Sequence, residues 1–386
     1  MELEAWHLLV LPLFFALGWL AARVDIRHVM RESRAVPASY YKGLNFLLNE
    51  QPDKAIEAFV EVARLDPDTL ELHYALGALF RRRGELDRAI RIHQNLVDRS
   101  DLNQREREKA LYELGQDFLK AGLLDRAEAI FKNLESGTHA IDALSHLLDI
   151  YVLEKEWEQA IATARRLEKL GCPSRFAEIA HYHCELALNA LLNQDTERAR
   201  AQLEQARAAN RKSARAVQLL GDLEAQLGHT ERAIAAWREM ETVNPAYLPI
   251  VADRIFQAHK QLGRAGEGIA LLKGYLARQA SADLFQTLFL AVQSTHGWSA
   301  AREVAAEALR AHPSLRILDA YLQAVNATSA QAGIEAQLAQ DLVHRHATAT
   351  AYYQCRECGF KARQFFWQCP ACARWESIPP ERIEHV

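Results

Sequence analysis

Residues 77–93 read GALFRRRGELDRAIRIH, and this stretch carries the pattern that decides the fold. Gly77 is followed twelve residues later by Ala89, and Ala89 four residues later by His93. The Arg-Gly-Glu sequence at 83–85 is typical of a tight turn between two helices. Apolar residues recur at intervals of three and four, which indicates helices and argues against a β-sheet. The stretch therefore predicts two antiparallel helices that approach closely at small residues.

The same spacing recurs along the chain with a period near 34 residues. The aligned triplets are Gly43, Ala55 and Phe59; Gly77, Ala89 and His93; Gly115, Ala127 and Phe131; Leu148, Ala160 and Ala164; Ala187, Ala199 and Leu203; and Gly221, Ala233 and Trp237. This pattern resembles the tetratricopeptide repeat. Each helix pair has apolar surface on two sides, so neighbours must stack to bury it. The sequence thus predicts an all-α superhelical solenoid of tetratricopeptide repeats over residues 38–327, with a groove for protein segments.

An apolar segment precedes the repeats. Residues 5–22 (AWHLLVLPLFFALGWLAA) are 18 in number and include no Asp, Glu, Lys or Arg. As a helix they span roughly 27 Å, enough for the core of a bilayer. A cleaved signal peptide is the alternative, but Glu2 and Glu4 stand where it would carry positive charge. The basic residues come afterwards, at Arg23, Arg27, Arg31 and Arg34. We therefore expect a transmembrane anchor at 1–22 and a basic juxtamembrane segment at 23–37, with the remainder in the cytoplasm.

Two CxxC pairs lie near the C-terminus. Cys355 and Cys358 form the first pair, Gly359 follows directly, and Cys369 and Cys372 form the second pair after ten intervening residues. Four thiolates at such spacing fill a tetrahedral metal site while Gly359 eases the tight turn. Two disulfides or four free thiols are the alternatives. We predict one structural metal ion, iron or zinc, because tetrahedral sulfur coordination suits both.

The metal-binding segment is predicted to be a small domain, residues 351–386, reached through a helical connector at 328–350. Its aromatic residues are expected to form a small core of its own and a docking face against the helices. They are Tyr352, Tyr353, Phe360, Phe365, Phe366, Trp367 and Trp375. A segment this short rarely folds without a metal, a disulfide or a partner. The joint before it is also short, so we expect the domain to dock on the repeats.

Composition and motifs exclude several classes of function. The net charge is −4 and the last segment is hardly basic, so nucleic acid is not an expected partner. No P-loop, GxGxxG, GxSxG or HExxH motif is present, and we predict that the protein is not an enzyme. His181 and His183 are two residues apart and would face different sides of a helix. We interpret them as ordinary helix residues, and Cys172 and Cys184 as buried small hydrophobic residues.

The order of anchor, repeats and CxxCG…CPxC knuckle resembles the lipopolysaccharide assembly protein B family of Gram-negative bacteria, over essentially the whole chain. The metal domain of that family is rubredoxin-like, and its four ligand positions match Cys355, Cys358, Cys369 and Cys372. The ten-residue gap between the pairs is much shorter than in free rubredoxins. The resemblance therefore implies a structural knuckle with four cysteine ligands, of rubredoxin or zinc-ribbon type, more than an electron carrier.

The resemblance also implies a function. Members of this family are single-pass proteins of the bacterial inner membrane, with a periplasmic N-terminus and a cytoplasmic bulk. They act as adaptors that promote degradation of the lipid A deacetylase by the FtsH protease, and a further role is to gather lipopolysaccharide enzymes at the membrane. An inner-membrane lipopolysaccharide sensor protein restrains them. The alternatives are a general scaffold for membrane enzymes and a single-iron redox protein.

Overall fold

The computed structural model describes residues 15–19, 38–49, 51–65, 69–329 and 334–384. These residues are mostly helical, as predicted, with three short strands close to the C-terminus. The predicted anchor and juxtamembrane segment lie outside the described residues, apart from residues 15–19, which are helical. Within the described ranges, no helix combines the length and the apolar character needed to cross a membrane. The chain divides into two compact units, residues 1–150 and 151–386.

The first unit is a succession of helices. They are α1 (Ala38–Leu48), α2 (Pro52–Leu65), α3 (Leu70–Arg83), α4 (Leu86–Val97), α5 (Gln104–Lys120), α6 (Leu124–Asn133) and α7 (Ala140–Leu153), the last residues of which belong to the second unit. From α1 to α6, each helix packs on the next one along the chain. Gly84 ends α3 in the left-handed conformation, with φ 79°. Its N–H donates to the carbonyl of Arg81 over 3.1 Å. The turn predicted at 83–85 is thereby confirmed.

The small residues of the repeat lie where paired helices touch. A Cβ atom on Gly43 would come within 2.6 Å of the Phe59 ring, and one on Gly115 within 2.8 Å of the Phe131 ring. Both distances are shorter than a normal carbon–carbon contact, so only glycine fits against these rings. The alanines of these two repeats and of the Gly77 repeat between them are completely buried, namely Ala55, Ala89 and Ala127. The predicted close approach of the helices is confirmed in this unit.

His93 occupies the position that Phe59 and Phe131 hold in the neighbouring repeats, and it is completely buried. Its Nδ1 atom lies 2.5 Å from Oδ2 of Asp117, which is also completely buried. Arg81 donates to the other carboxylate oxygen of Asp117 over 2.7 Å. A buried carboxylate is costly unless it is paired, so α3 and α4 together stabilise Asp117 of α5. This polar network links two successive repeats.

The second unit continues the plan with further helices. They are α8 (Trp157–Lys169), α9 (Phe176–Leu192), α10 (Thr196–Ala209), α11 (Ala214–Gln226), α12 (Thr230–Arg238), α13 (Met240–Val243), a 3-10 turn (Pro245–Tyr247), α14 (Leu248–Gln261), α15 (Ala265–Arg278), α16 (Ala282–Ala311), α17 (Leu315–Thr328) and α18 (Ile334–Thr350). α16 is broken at Gly297, whose φ of 83° is not helical. Its two halves therefore act as two helices of the repeat pattern.

A three-stranded sheet follows α18 without a break. Its strands are β1 (Ala351–Gln354), β2 (Lys361–Ala362) and β3 (Ile383–Glu384). β1 lies in the middle and pairs antiparallel with both neighbours, Tyr353 opposite Ala362 and Tyr352 opposite Ile383. The two CxxC pairs lie in the loops of this small sheet domain.

The sheet domain has the small core that the sequence predicts, and its aromatic residues also reach the helices. Its own cluster contains Tyr353, Cys355, Cys369 and Ile378, with Phe365 packed against it. Phe365 also packs, together with Trp367, against the large helical core of the second unit. Phe365 thus contacts both clusters. The domain and the helices therefore share apolar surface.

Candidate metal centre

The first CxxC pair sits in the turn between β1 and β2. The N–H of Cys355 donates to the carbonyl of Phe360 over 2.9 Å, and the N–H of Gly359 donates to the carbonyl of Cys355 over 3.0 Å. Gly359 has a φ of 75°, in the left-handed region that a side chain disfavours. The tight turn predicted at Gly359 is confirmed.

The second pair repeats the geometry of the first. The N–H of Cys369 donates to the carbonyl of Arg374, and the N–H of Ala373 donates to the carbonyl of Cys369, each over 2.9 Å. Ala373 stands where the first loop has Gly359, and it also adopts the left-handed conformation, with φ 55°. An alanine is strained there, so the second loop holds a conformation that its sequence does not favour.

The two loops bring all four thiols together. Their sulfur atoms all lie within 4.8 Å of one another. Cys355 Sγ is 3.8 Å from Cys372 Sγ, and Cys358 Sγ is 3.7 Å from Cys369 Sγ. A disulfide bond is about 2.05 Å long, so these are free thiols. A tetrahedral ion with metal–sulfur bonds of about 2.3 Å needs sulfur atoms about 3.8 Å apart, and these two distances match that requirement.

The electrostatics of the loops favour at least one thiolate. Burial raises the pKa of Cys355, but the Ser377 hydroxyl and backbone N–H groups of the first loop outweigh it and hold this pKa at about 6. Backbone hydrogen bonding from Phe360 lowers the pKa of Cys358, yet burial and the neighbouring sulfur atoms raise it to about 12. The four thiols thus cannot all ionise easily beside one another unless a cation compensates their charge. Four cysteines so arranged indicate one metal ion.

The metal loops are held against the helices by stacked rings. The indole of Trp375 stacks on the imidazole of His181 in α9, with ring centroids 4.5 Å apart and 12° between the planes. His181 Nε2 also lies 3.1 Å from a carboxylate oxygen of Glu376. Trp367 stacks on Tyr247 with centroids 5.1 Å apart and 5° between the planes. The expectation that the domain docks on the repeats through its aromatic residues is confirmed.

Sequence reasoning missed the part that His181 plays. We interpreted it as an ordinary helix residue, whereas its side chain is buried under the metal loops. Burial lowers the pKa of His181, although the Glu376 carboxylate opposes this shift. His183 faces elsewhere, with Nδ1 2.7 Å from the amide oxygen of Gln202. The sequence of α9 distinguishes His181 from His183 by nothing that signals this contact.

Asp283 at the start of α16 forms a second anchoring point. Its carboxylate accepts from the Arg316 guanidinium over 2.7 Å and from the backbone N–H of Arg382 over 3.0 Å. Glu381 accepts from the backbone N–H of Ala282 over 3.1 Å. The segment that leads into β3 is thereby tied to the N-terminus of α16, where negative side chains are favoured.

Comparison with known proteins gives matches over nearly the whole chain. The family described as "Rubredoxin metal binding domain" matches residues 353–380, and the family "Tetratricopeptide repeat" matches residues 40–101 and 184–243. Lipopolysaccharide assembly protein B of Escherichia coli is 34% identical over 380 residues, covering 97% of each chain. The protein of the same name from Haemophilus influenzae is 28% identical, covering 96% of this chain and 97% of its own. A solved tetratricopeptide repeat protein from Parabacteroides merdae has 13% identity and a TM-score of 0.34, covering 75% of this chain and 100% of its own.

Proposed function

The chain belongs to the lipopolysaccharide assembly protein B family, and we propose that it is a membrane-anchored cytoplasmic adaptor that regulates lipopolysaccharide synthesis. In this proposal it is not an enzyme. It promotes degradation of the lipid A deacetylase by the FtsH protease and gathers lipopolysaccharide enzymes at the inner membrane. An inner-membrane lipopolysaccharide sensor protein restrains it. The single observation that carries the proposal is the similarity over 97% of both chains, which includes both the repeats and the metal domain.

The proposed ligands of one metal ion, iron or zinc, are Cys355, Cys358, Cys369 and Cys372. The mutual distances of their sulfur atoms support this assignment. Four protein ligands complete a tetrahedron, so the ion has no open position for a substrate and its role is structural. It fixes the two loops, and the loops carry Trp367 and Trp375 to their partners on the helices. The ion thus keeps the metal domain docked on the helices.

The repeats, the predicted anchor and the basic segment each have a separate part in the proposal. Helical repeats offer extended surfaces to protein segments, and these surfaces would hold the deacetylase, the protease or both. An anchor at residues 1–22 would confine the repeats to the membrane plane in which a membrane protease works. Confinement raises the effective concentration of two partners without any new contact between them. Basic residues at 23–37 would add contacts with anionic lipid headgroups.

The experiment that tests the proposal measures the half-life of the lipid A deacetylase after protein synthesis is blocked. Cells would carry either the wild-type chain or the double variant Cys369→Ser/Cys372→Ser. We expect the deacetylase to persist in the variant, because the metal loops and their stacked rings would be lost. The matched control is Cys172→Ser, which removes a thiol that lies outside the metal centre. It should leave the half-life unchanged.

A second arm tests the anchor. A chain that lacks residues 1–22 should fold its repeats, yet the deacetylase should accumulate because membrane confinement is gone. Decay at the wild-type rate in both arms would contradict the adaptor function. The general scaffold for membrane enzymes would then be the better description.

A further inference from the structure

A polar cavity of about 360 Å³ lies where α17, α18 and the metal domain meet. Two arginines of the metal domain line it. Arg363 directly follows β2 and Arg382 directly precedes β3. β2 and β3 flank β1 on opposite sides, so the two arginines reach the cavity from either side of the central strand. Sequence spacing alone gives no hint of this convergence.

The walls of the cavity present mainly hydrogen-bond donors. Arg363 and Arg382 of the metal domain line it together with Arg316 of α17 and His344 of α18. Asp319 is the one carboxylate among the residues that line the cavity in the described part of the chain. It already accepts from His344 Nδ1 over 2.8 Å and from the Gln323 amide over 3.0 Å. Both bonds go to Oδ2 of Asp319, and its Oδ1 makes no hydrogen bond. Three guanidinium groups and one carboxylate thus line the cavity, which leaves an excess of positive charge.

Two of the arginines, Arg316 and Arg382, contact a carboxylate that lies outside the cavity. Asp283 does not line the cavity, but its carboxylate pairs with Arg316 over 2.7 Å and lies 3.5 Å from Arg382. Arg316 is nine-tenths buried, with a side-chain exposure of 9%. The Arg382 guanidinium also lies 5.3 Å from the centre of the Tyr353 ring. Fixed guanidinium groups lose little conformational freedom when they bind a ligand, which is what a built site requires. Arg363, in contrast, is exposed at the rim.

We propose that this cavity binds the phosphate group of a phosphate ester, supplied either by a free phosphorylated sugar or by a lipid headgroup. Guanidinium groups match phosphate oxygens through paired, charge-assisted hydrogen bonds. The cavity falls within the usual size range of small-ligand sites, which leaves room for more than the phosphate itself. This inference is independent of the proposed function, because it concerns neither the deacetylase nor the protease.

The ligand would bridge the metal domain and the helices. Arg363 and Arg382 belong to the former, and Arg316 and His344 belong to the latter. A ligand that binds only the docked arrangement stabilises it, and this stabilisation grows with the logarithm of the ligand concentration above the dissociation constant. Phosphate esters should therefore slow hydrogen exchange at the backbone N–H groups of β1, beside the cavity.

Calorimetric titration of the purified protein tests the proposal with glucose 1-phosphate and, in a separate arm, with vesicles of phosphatidic acid in phosphatidylcholine. Uncharged glucose and pure phosphatidylcholine vesicles are the blanks. The informative variant is Arg363→Gln, because its exposed position lets the side chain change without disturbing the core. The matched control is Arg345→Gln, which removes one positive charge from α18 at an exposed position outside the cavity. Circular dichroism would verify that both variants fold.

We expect Arg363→Gln to weaken binding about tenfold, the effect of one lost charge-assisted hydrogen bond, and Arg345→Gln to change it by less than about twofold. Binding of glucose 1-phosphate identifies a free phosphate ester as the ligand, and binding of the anionic vesicles alone identifies a lipid headgroup. The proposal is overturned if neither probe binds at millimolar concentration. It is also overturned if the two variants weaken binding equally, because the effect would then be one of overall charge.

Discussion

The indole of Trp375 and the imidazole of His181 are stacked, with centroids 4.5 Å apart, although 194 positions separate them in the sequence. Trp375 lies three residues after the last cysteine of the metal motif, and His181 lies in the first turns of α9. Arg215 of α11 extends the stack, since its guanidinium lies 5.4 Å from the centre of the Trp375 ring. One side chain of the metal loops thus contacts two helices of the repeats.

Replacement of Trp375 by alanine should loosen the docked metal domain. The change removes the stacked pair and the cation–π contact, and we expect a loss of about 2–3 kcal/mol in the free energy of unfolding, less than for a fully buried tryptophan. Hydrogen exchange at the backbone N–H groups of Tyr353 and Gln354 should become faster. Trp298→Ala is the matched control, because Trp298 is also partly exposed but packs near Phe289, across the break in α16. Equal acceleration in both variants would contradict a role for Trp375 in docking.

Acidification should weaken the docking of the metal domain through His181. Burial, only partly opposed by Glu376, lowers the pKa of His181 below its ordinary value of 6.5. The unfolded chain therefore binds a proton more readily than the folded one between the two pKa values. The contribution of His181 to stability is complete above pH 6.5 and is lost as the pH falls from there toward the folded pKa.

The variant His181→Phe isolates this effect because phenylalanine keeps the stacked ring and cannot titrate. Thermal unfolding across the acidic range should show a steeper loss of stability for the wild type than for the variant. Parallel curves would mean that other groups, such as the cysteine thiols, account for the whole pH dependence.

Opposite substitutions at the equivalent positions of the two metal loops should have opposite effects on stability. Ala373 and Gly359 hold equivalent positions with φ of 55° and 75°, and the left-handed region disfavours a side chain by about 1–2 kcal/mol. We expect Ala373→Gly to raise the free energy of unfolding of the metal domain by about 1 kcal/mol, because it relieves this strain. Gly359→Ala should lower it by a similar amount. Chelator-induced metal release would report both changes, and faster release from Ala373→Gly would contradict the assignment.

Local patterns were enough to predict much of the fold. The Gly–Ala spacing identified the helix pairs because steric exclusion at Gly43 or Gly115 acts between helices that are adjacent in sequence. The cysteine spacing predicted the two loops for the same reason, since each loop closes through backbone hydrogen bonds within six residues. Ala373 shows where such reasoning stops. Nothing in its identity signals a left-handed conformation, which the metal loop imposes on it.

Long-range polar partners could not be predicted. Glu376 and His181 are 195 residues apart, and Arg382 and Asp283 are 99 residues apart. Their pairing depends on how many helices lie between them and on how the sheet is oriented. Neither the helix number nor the sheet orientation produces a periodic pattern in the sequence. His93 is an intermediate case. The repeat pattern aligned it with Phe59 and Phe131, but its partner Asp117 lies in the next repeat and reads as an ordinary helix-surface residue.

Gly221 and Trp237 test whether a small residue on one helix is needed to accommodate a large side chain on its partner helix. A Cβ atom on Gly221 would overlap the Trp237 indole, which is 4% exposed and donates from Nε1 to Asp222 Oδ1 over 3.1 Å. The neighbouring repeat uses a different pair, Ala187 and Leu203, and both are completely buried. A larger residue on the first helix thus accompanies a smaller one on the second.

We therefore expect Gly221→Ala to lower the free energy of unfolding by about 1–3 kcal/mol through overpacking. Trp237→Leu should also destabilise the protein, since it leaves a cavity. The double variant reproduces the neighbouring pair, so its loss should be smaller than the sum by about 1 kcal/mol or more in a double-mutant cycle. Gly274→Ala is the control, because a Cβ there meets no atom of the described residues within 4 Å. Additive losses, or equal stability of Gly221→Ala and Gly274→Ala in thermal and urea unfolding, would show that the helices do not approach as closely as this packing requires.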